Sequence, residues 1–421
     1  MMPNRLSTGG RIDRSKPLKF KFNGKTYTGF SGDTLASALI ANGVSLTARS
    51  FKYHRPRGIV GAGVEEPSTL VELLGGDASG NRPATTVPLT EGLAARSVNC
   101  WPSPNFDLGG LTQVATRFLP AGFYYKTFKW PNWHVFEPTI RKAAGLAAAP
   151  SCPPTTGHFE NRYAHTDLLV AGAGPAGLMA ALTAARAGKR VMLVDEGIEP
   201  GGSLLSTSQS IGSLPALDWV AEVVAELGDN PNVTHMQNAT VWGYREHNYL
   251  MVHERSPKNP SVIERNWRIR AGHVITATGG IERTMVFGNN ERPGIMLASA
   301  AQTYVNRYAA CPGWNAVIFT NNNSAYSVAA DLIAAGVKVA AIVDSRATVP
   351  IEAETLATET TIYAGSVVTT TLGHKHIRAA VIEPINGGEA CTIPCDLLAH
   401  SGGWNPTVHL FSQSRGTLKY D

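Results

Sequence analysis

The chain has 421 residues, 43% of them apolar and 16% charged, which fits a globular protein of two or three domains and excludes a disordered one. Its net charge of +5 is unevenly placed: eleven Lys/Arg against Asp13 and Asp33 give residues 1–57 a charge of +9 and leave −4 for the rest. These cations are spread through an alternating strand pattern instead of forming a block, so a solvated or subunit-facing surface is expected and a nucleic-acid partner is not.

The five cysteines, Cys100, Cys152, Cys311, Cys391 and Cys395, are scattered. The gap between Cys391 and Cys395 matches neither a zinc knuckle nor a redox pair, so reduced thiols and no metal site are expected. Met1 to Lys16 is polar and has no apolar signal region, which predicts a cytoplasmic protein with no membrane partner.

Leu18 to Phe22 alternates apolar and polar residues, Asn23-Gly24 follows, and Lys25 to Phe30 alternates again. Asn-Gly supplies the positive φ angles of a type I′ hairpin turn. Ser31 or Asp33 is expected to cap a helix with Leu35, Leu39 and Ile40 on one face, stopped at Asn42-Gly43. Hairpin, helix, then a loop rich in glycine (Gly58, Gly61, Gly63) is the order of a β-grasp, ferredoxin-like domain, placed at residues 1–80. A plant-type ferredoxin carries cysteine ligands in that loop. Here it reads Gly61-Ala62-Gly63-Val64-Glu65-Glu66, and no cysteine precedes Cys100, so the domain is predicted to lack a cluster.

Residues 81–165 read as a Pro/Gly-punctuated connector holding Trp101, Phe106, Phe118, Phe123, Tyr124, Tyr125, Phe128, Trp130, Trp133 and Phe136. So many aromatic rings are costly in water; they either dock a partner subunit or lie across the next domain.

From Thr166 to the end the pattern is α/β. A buried strand, Asp167 to Ala171, runs into Gly172-Ala173-Gly174-Pro175-Ala176-Gly177, which opens a helix through Arg186. A second strand, Val191 to Val194, ends at Asp195-Glu196. Strand, G-x-G-x-x-G, helix and a following acid together form a dinucleotide fingerprint. Gly172 permits the tight turn, Gly174 lets backbone approach a pyrophosphate, and Gly177 lets helix and strand pack closely. First-turn N–H groups face the phosphates, and Asp195 accepts from the adenosine ribose hydroxyls. With Glu196 it repels a 2′-phosphate, which argues for NAD or FAD over NADP and leaves those two open. The apolar run Leu168–Ala185 is explained by this unit and not by a membrane span.

Further on, His273 to Gly280 resembles the A-T-G turn of two-dinucleotide flavoproteins, adding Thr278 and Gly279 to the candidate nucleotide contacts. A second β-α-β unit follows at about 315–375: Ala316 to Phe319, the loop Thr320-Asn321-Asn322-Asn323-Ser324, and Val337 to Asp344. Its loop has no glycine, so close approach to a pyrophosphate is not expected. Cys395 to Gly403 resembles the strand returning to the first nucleotide-binding unit. A further strand and glycine turn are expected after it, so the sequence reads as a fragment or as a site left incomplete. The fold class is therefore α/β, a Rossmann-type two-dinucleotide-binding flavoprotein-like domain behind a β-grasp domain.

Five stretches resemble the alpha subunit of heterotetrameric sarcosine oxidase: Phe51 to Glu66, Ala171 to Gly177, Ile281 to Arg283 with Asn290 to Gly294, Phe319 to Asn322, and Ser401 to Pro406. The resemblance implies an NAD-binding subunit of a complex that demethylates sarcosine to glycine, with formaldehyde or methylenetetrahydrofolate and H2O2 as products. It implies that FAD and FMN sit on or beside a flavin-carrying beta subunit, with small subunits completing a hetero-oligomer. The folate-binding, aminomethyltransferase-like half is not among the matched stretches. Carried onto this chain, the NAD site would use Gly172 to Gly177, Asp195 and Glu196, with Ser203 and Val241. No catalytic residue is implied; His54, His134, His165 and His400 show no Cys, Ser or acid arrangement around them. Two other readings are a related FAD-dependent amino-acid or opine dehydrogenase subunit, with FAD in this chain, and a non-catalytic NAD-binding scaffold.

Overall fold

A computed structural model describes residues 2–51, 53–75, 80–111, 127–143, 158–255, 261–349 and 360–420. Phe118, Phe123, Tyr124, Tyr125 and Cys152 lie outside the described residues. The chain forms two compact units, Met1–Pro153 with Glu282–Gly403, and Pro154–Ile281 with Trp404–Asp421.

The first unit begins with a five-stranded mixed sheet in the order Lys25–Ser31, Asp13–Phe22, Ala94–Ser97, Leu70–Leu74, Arg82–Pro83. Phe22 pairs with Lys25, and Asn23 and Gly24 sit at φ 52° and 80°, the left-handed pair that a type I′ turn needs. The helix Leu35–Ala41 buries all seven residues, not a single stripe. Its cap is Thr34, which forms a capping box with Ser37 and replaces the expected Ser31 or Asp33. Asp33 is already committed: its carboxylate accepts from the Phe30 N–H, the Ser37 hydroxyl and, at 2.6 Å, the Arg5 guanidinium. Asn42 and Gly43 end the helix, Gly43 at φ 74°.

This unit also holds a parallel sheet in the order Ile295–Leu297, Leu397–Ser401, Asn315–Thr320, Lys338–Asp344, Thr361–Ala364. Leu397–Ser401 is buried at every position, the continuous apolar run of a strand covered on both faces. Helices Ala298–Tyr308 and Ser324–Ala334 cover one face, and their Tyr304 and Tyr326 share a single core with Phe20, Leu39 and Val71 of the β-grasp domain. Each such buried large side chain contributes roughly 1.5–3 kcal/mol, so the two modules stabilise one another. A three-stranded antiparallel sheet, Ser366–Gly373, Ile377–Pro384 and Cys391–Pro394, closes a second core around Phe287, Val317, Val343 and Ile382.

The second unit is a six-stranded sheet in the order Val233–Met236, Val191–Val194, His158–Ala171, Val262–Thr276, Tyr249–Arg255, Ala239–Arg245. The first four strands are parallel and the last two antiparallel. Helices Pro175–Arg186 and Ala216–Asp229 bury Leu178, Leu182, Val220 and Leu227 against one face. Residues after Gly403 return to this sheet: Leu410 enters the core of its other face, and the Gln413 side chain accepts the Tyr244 N–H at 2.7 Å. Among the described residues no helix is long and apolar enough to cross a membrane.

Candidate functional site

The loop after strand His158–Ala171 is shaped by three glycines with different duties. Gly172 sits at φ 106°, and its N–H donates to Val194 O at 2.8 Å. A Cβ there would collide with Ala277 O, and one at Gly177 would collide with Gly172 O. These two positions are closed by protein. Gly174 is different: an added Cβ would meet only Gly202 Cα, 3.9 Å away. Gly174 is also the N-cap of helix Pro175–Arg186, with Pro175 in its first turn and no side-chain cap. The first-turn N–H groups, Ala176 and Gly177 among them, have no intrahelical partner and carry the positive end of the helix dipole. The residues present therefore fit a dinucleotide whose phosphates lie over Gly174.

Asp195 ends the second strand. Its carboxylate accepts from the Ala173 N–H at 2.6 Å and the Gly197 N–H at 2.7 Å, tying the glycine loop to the strand end. Each oxygen keeps acceptor capacity for a further donor. Glu196 beside it is exposed. Gly201 N–H donates to Ala173 O, and a Cβ on Gly202 would come within 2.8 Å of Gly174 Cα. Sequence reading did not single out Gly201-Gly202, although a Pro-Gly-Gly after an acidic strand end was its visible signal. Ser203 is exposed in the short 3-10 turn Gly202–Ser206, whose Leu204 and Leu205 are buried. Val241 lies half-buried on strand Ala239–Arg245, which is anchored by the Ala239 N–H to Asp195 O bond.

Across the loop, Ala277 N–H donates to Ala171 O. Thr278 Oγ1 donates to Thr407 O at 2.7 Å, and Thr407 N–H returns a bond to Gly279 O at 2.9 Å. Thr278 and Gly279 are thus clasped by the returning C-terminal segment.

The corresponding loop of the first unit is filled by its own side chains. Asn322 Nδ2 donates to Ser401 O and Oγ, while its Oδ1 accepts the Ser324 N–H and hydroxyl. At the strand end, Asp344 is paired with Arg346 at 2.7 Å and accepts the Tyr326 hydroxyl. The acid that would meet a ribose there is neutralised.

A concave region of about 500 Å³ in the same unit is lined by Arg49, Arg57, Asn99, Glu291 and His400 among others. Burial lowers the pKa of Arg49 and Arg57, with nearby carboxylates opposing it. His400 is buried, its Nδ1 accepts the Met285 N–H, and burial lowers its pKa to about 4. His54 Nδ1 lies 2.7 Å from the Asp107 carboxylate, a pairing across 53 residues that sequence reading did not find. His134 and His165 are exposed. Burial raises the pKa of Cys100 to about 11 and of Cys311 and Cys395 to about 12, so these thiols stay protonated.

Residues 167–249 match the FAD dependent oxidoreductase family, and residues 15–100 match the 2Fe-2S iron-sulfur cluster binding domain family. The fold is that of L-proline dehydrogenase from P. horikoshii, with a TM-score of 0.66 and 19% identity, covering 100% of this chain and 66% of that one. Fold and glycine loop together define an α/β chain of the two-dinucleotide type with a β-grasp domain in front. The chain is 48% identical over 420 residues to the sarcosine oxidase alpha subunit of Rhizobium meliloti (strain 1021), and 37% identical over 439 residues to that of Corynebacterium sp. (strain P-1). These matches cover 97% and 100% of this chain. On that homology it is similar to one part of the sarcosine oxidase alpha subunits. It spans 42% and 40% of the length of those two relatives.

Proposed function

We propose that this chain is the nucleotide-binding part of a sarcosine-oxidising complex and that its own residues hold NAD without reacting with it. The open approach over Gly174, between two glycine positions closed by protein, carries this reading. When bound, a dinucleotide supplies a pyrophosphate for the N–H groups at the start of helix Pro175–Arg186 and a ribose for Asp195 and Glu196. Two adjacent carboxylates disfavour a 2′-phosphate by like-charge repulsion. Ser203, Val241, Thr278 and Gly279 complete the set of proposed contacts.

No residue here is assigned to bond breaking. Among the described residues, the filled Asn322 loop and the Arg346–Asp344 pair leave no second cradle at the corresponding strand end through which this chain could pass a hydride between two nucleotides. Demethylation of sarcosine to glycine, with formaldehyde or methylenetetrahydrofolate and H2O2 as products, is then the work of a flavin-carrying partner subunit. An FMN held beside that partner would present a phosphate, and Arg49 and Arg57 on the 500 Å³ cavity are the groups of this chain that suit it. The complex is expected in the cytoplasm, with small subunits completing it.

Denaturing the purified protein and identifying the released nucleotide by mass tests the reading. NAD without flavin is the expected result. FAD would make this unit a flavin site, as in a related amino-acid or opine dehydrogenase subunit. Release of no nucleotide at all would overturn the assignment.

A further inference from the structure

The β-grasp loop from Val60 to Thr69 is organised around two carboxylates of its own. Glu66, only 3% exposed, accepts the Val60 and Gly61 N–H groups on one oxygen and those of Ser68 and Thr69 on the other, all at 2.7 Å. Glu65 accepts the Ala62 and Gly63 N–H groups at 2.8 and 2.9 Å. Six backbone donors therefore converge on negative charge, which is a nest for an anion. A Cβ at Gly61 or Gly63 would come within 2.6 Å of the Glu65 carboxylate, so glycine keeps the nest open to it. Burial pushes the Glu66 carboxyl up, against the pull of its four N–H partners. All four are donors; a protonated carboxyl would aim its O–H at one of them, so the ionised form is the one that fits.

The loop's carbonyls face the other way and are also engaged. Val60 O accepts the Leu297 N–H at 2.9 Å, and Gly61 O accepts the Tyr304 hydroxyl at 2.8 Å. Leu297 is the N-cap of helix Ala298–Tyr308 in the second module. The matched family is described by a 2Fe-2S cluster, but Cys100 is the one cysteine in the matched range. Among the described residues no group of His, Cys, Asp or Glu could hold a metal. A cluster does not fit this chain.

We propose that Glu65 and Glu66 are resident anions that take over the loop-organising charge of an iron–sulfur cluster, turning a cofactor loop into a fixed strut between the β-grasp sheet and helix Ala298–Tyr308. The domain then carries load and not electrons. Its charge is supplied in the sequence, so the loop needs no metal to close.

The test is thermal unfolding of the full protein and its Glu66→Ala, Glu66→Gln and Glu65→Ala variants, in sodium formate and in matched sodium chloride. Glu66→Ala is expected to lower Tm by on the order of 5–10 °C, and formate should restore part of the loss by refilling the nest. The unmodified protein should show no difference between the two salts. Glu65→Ala should show the same rescue on a smaller loss. Glu66→Gln keeps the shape but turns an N–H2 toward donors, so it should also melt several degrees lower. Should Glu66→Ala fail to accumulate, the Gln variant decides: a Tm equal to that of the unmodified protein overturns the proposal. A destabilised Glu66→Ala that ignores formate overturns it as well, because a packing role predicts that result.

Discussion

His400 should make the stability of the first unit fall with acid in a narrow window. It sits 2% exposed on a strand buried at every position, with the Phe287 ring perpendicular to its own and the two ring centroids 5.8 Å apart. Because Nδ1 accepts the Met285 N–H, the neutral ring carries its proton on Nε2. A second proton would have to go on Nδ1, where it would meet a donor. Burial holds the pKa at about 4 instead of the usual 6.5.

The sign follows from which state binds the proton. Between pH 6.5 and 4 the unfolded chain is protonated at this ring and the folded chain is not, so acid favours unfolding. Stability is fully present above about pH 6.5, is lost as pH falls, and levels off below about 4. A depression of this size corresponds to about 3 kcal/mol across the window. Urea unfolding of the protein and of His400→Asn, repeated from pH 7 to 4, isolates it. Asn retains an oxygen acceptor for Met285 but does not titrate; its packing loss is the same at every pH. The gap between the two proteins should shrink by about 3 kcal/mol on acidification. A gap that stays constant from pH 7 to 4 would refute the reasoning, since every other titrating group is shared.

Two further contrasts probe the glycine loop and the N-terminal cap. Gly177→Ala forces a methyl group into Gly172 O and should cost about 1–3 kcal/mol by overpacking, whereas Gly174→Ala should fold with little loss. If the nucleotide lies over Gly174, that second variant should be the one that releases it, read by isothermal titration with NAD. Thr34→Ala should cost about 1 kcal/mol as a lost cap. Asp33→Ala should cost more, about 3–5 kcal/mol, because it strands the Arg5 guanidinium, itself only 5% exposed, inside the core. Equal losses in denaturant unfolding would return Asp33 to the role of a simple cap.

What the sequence disclosed follows the range of the interactions involved. The Asn23-Gly24 turn and the strand–glycine–helix unit at 167–186 are set by local backbone demands, and both are readable from neighbouring residues. The Thr34 cap was missed by one position because the competing residue, Asp33, is claimed by Arg5, 28 residues away. Absence of glycine at 320–324 is visible in the sequence; what fills that loop is not, since Asn322 meets Ser401 across 79 residues. The Glu65-Glu66 nest lies between these cases. Donors and acceptors fall within ten residues, yet the pattern looks like an ordinary acidic turn until the direction of six N–H groups is known. A missing ligand set is legible by counting cysteines. The substitute that makes its absence tolerable is a matter of geometry, and that is why a loop without its cysteines can still hold the fold it was built around.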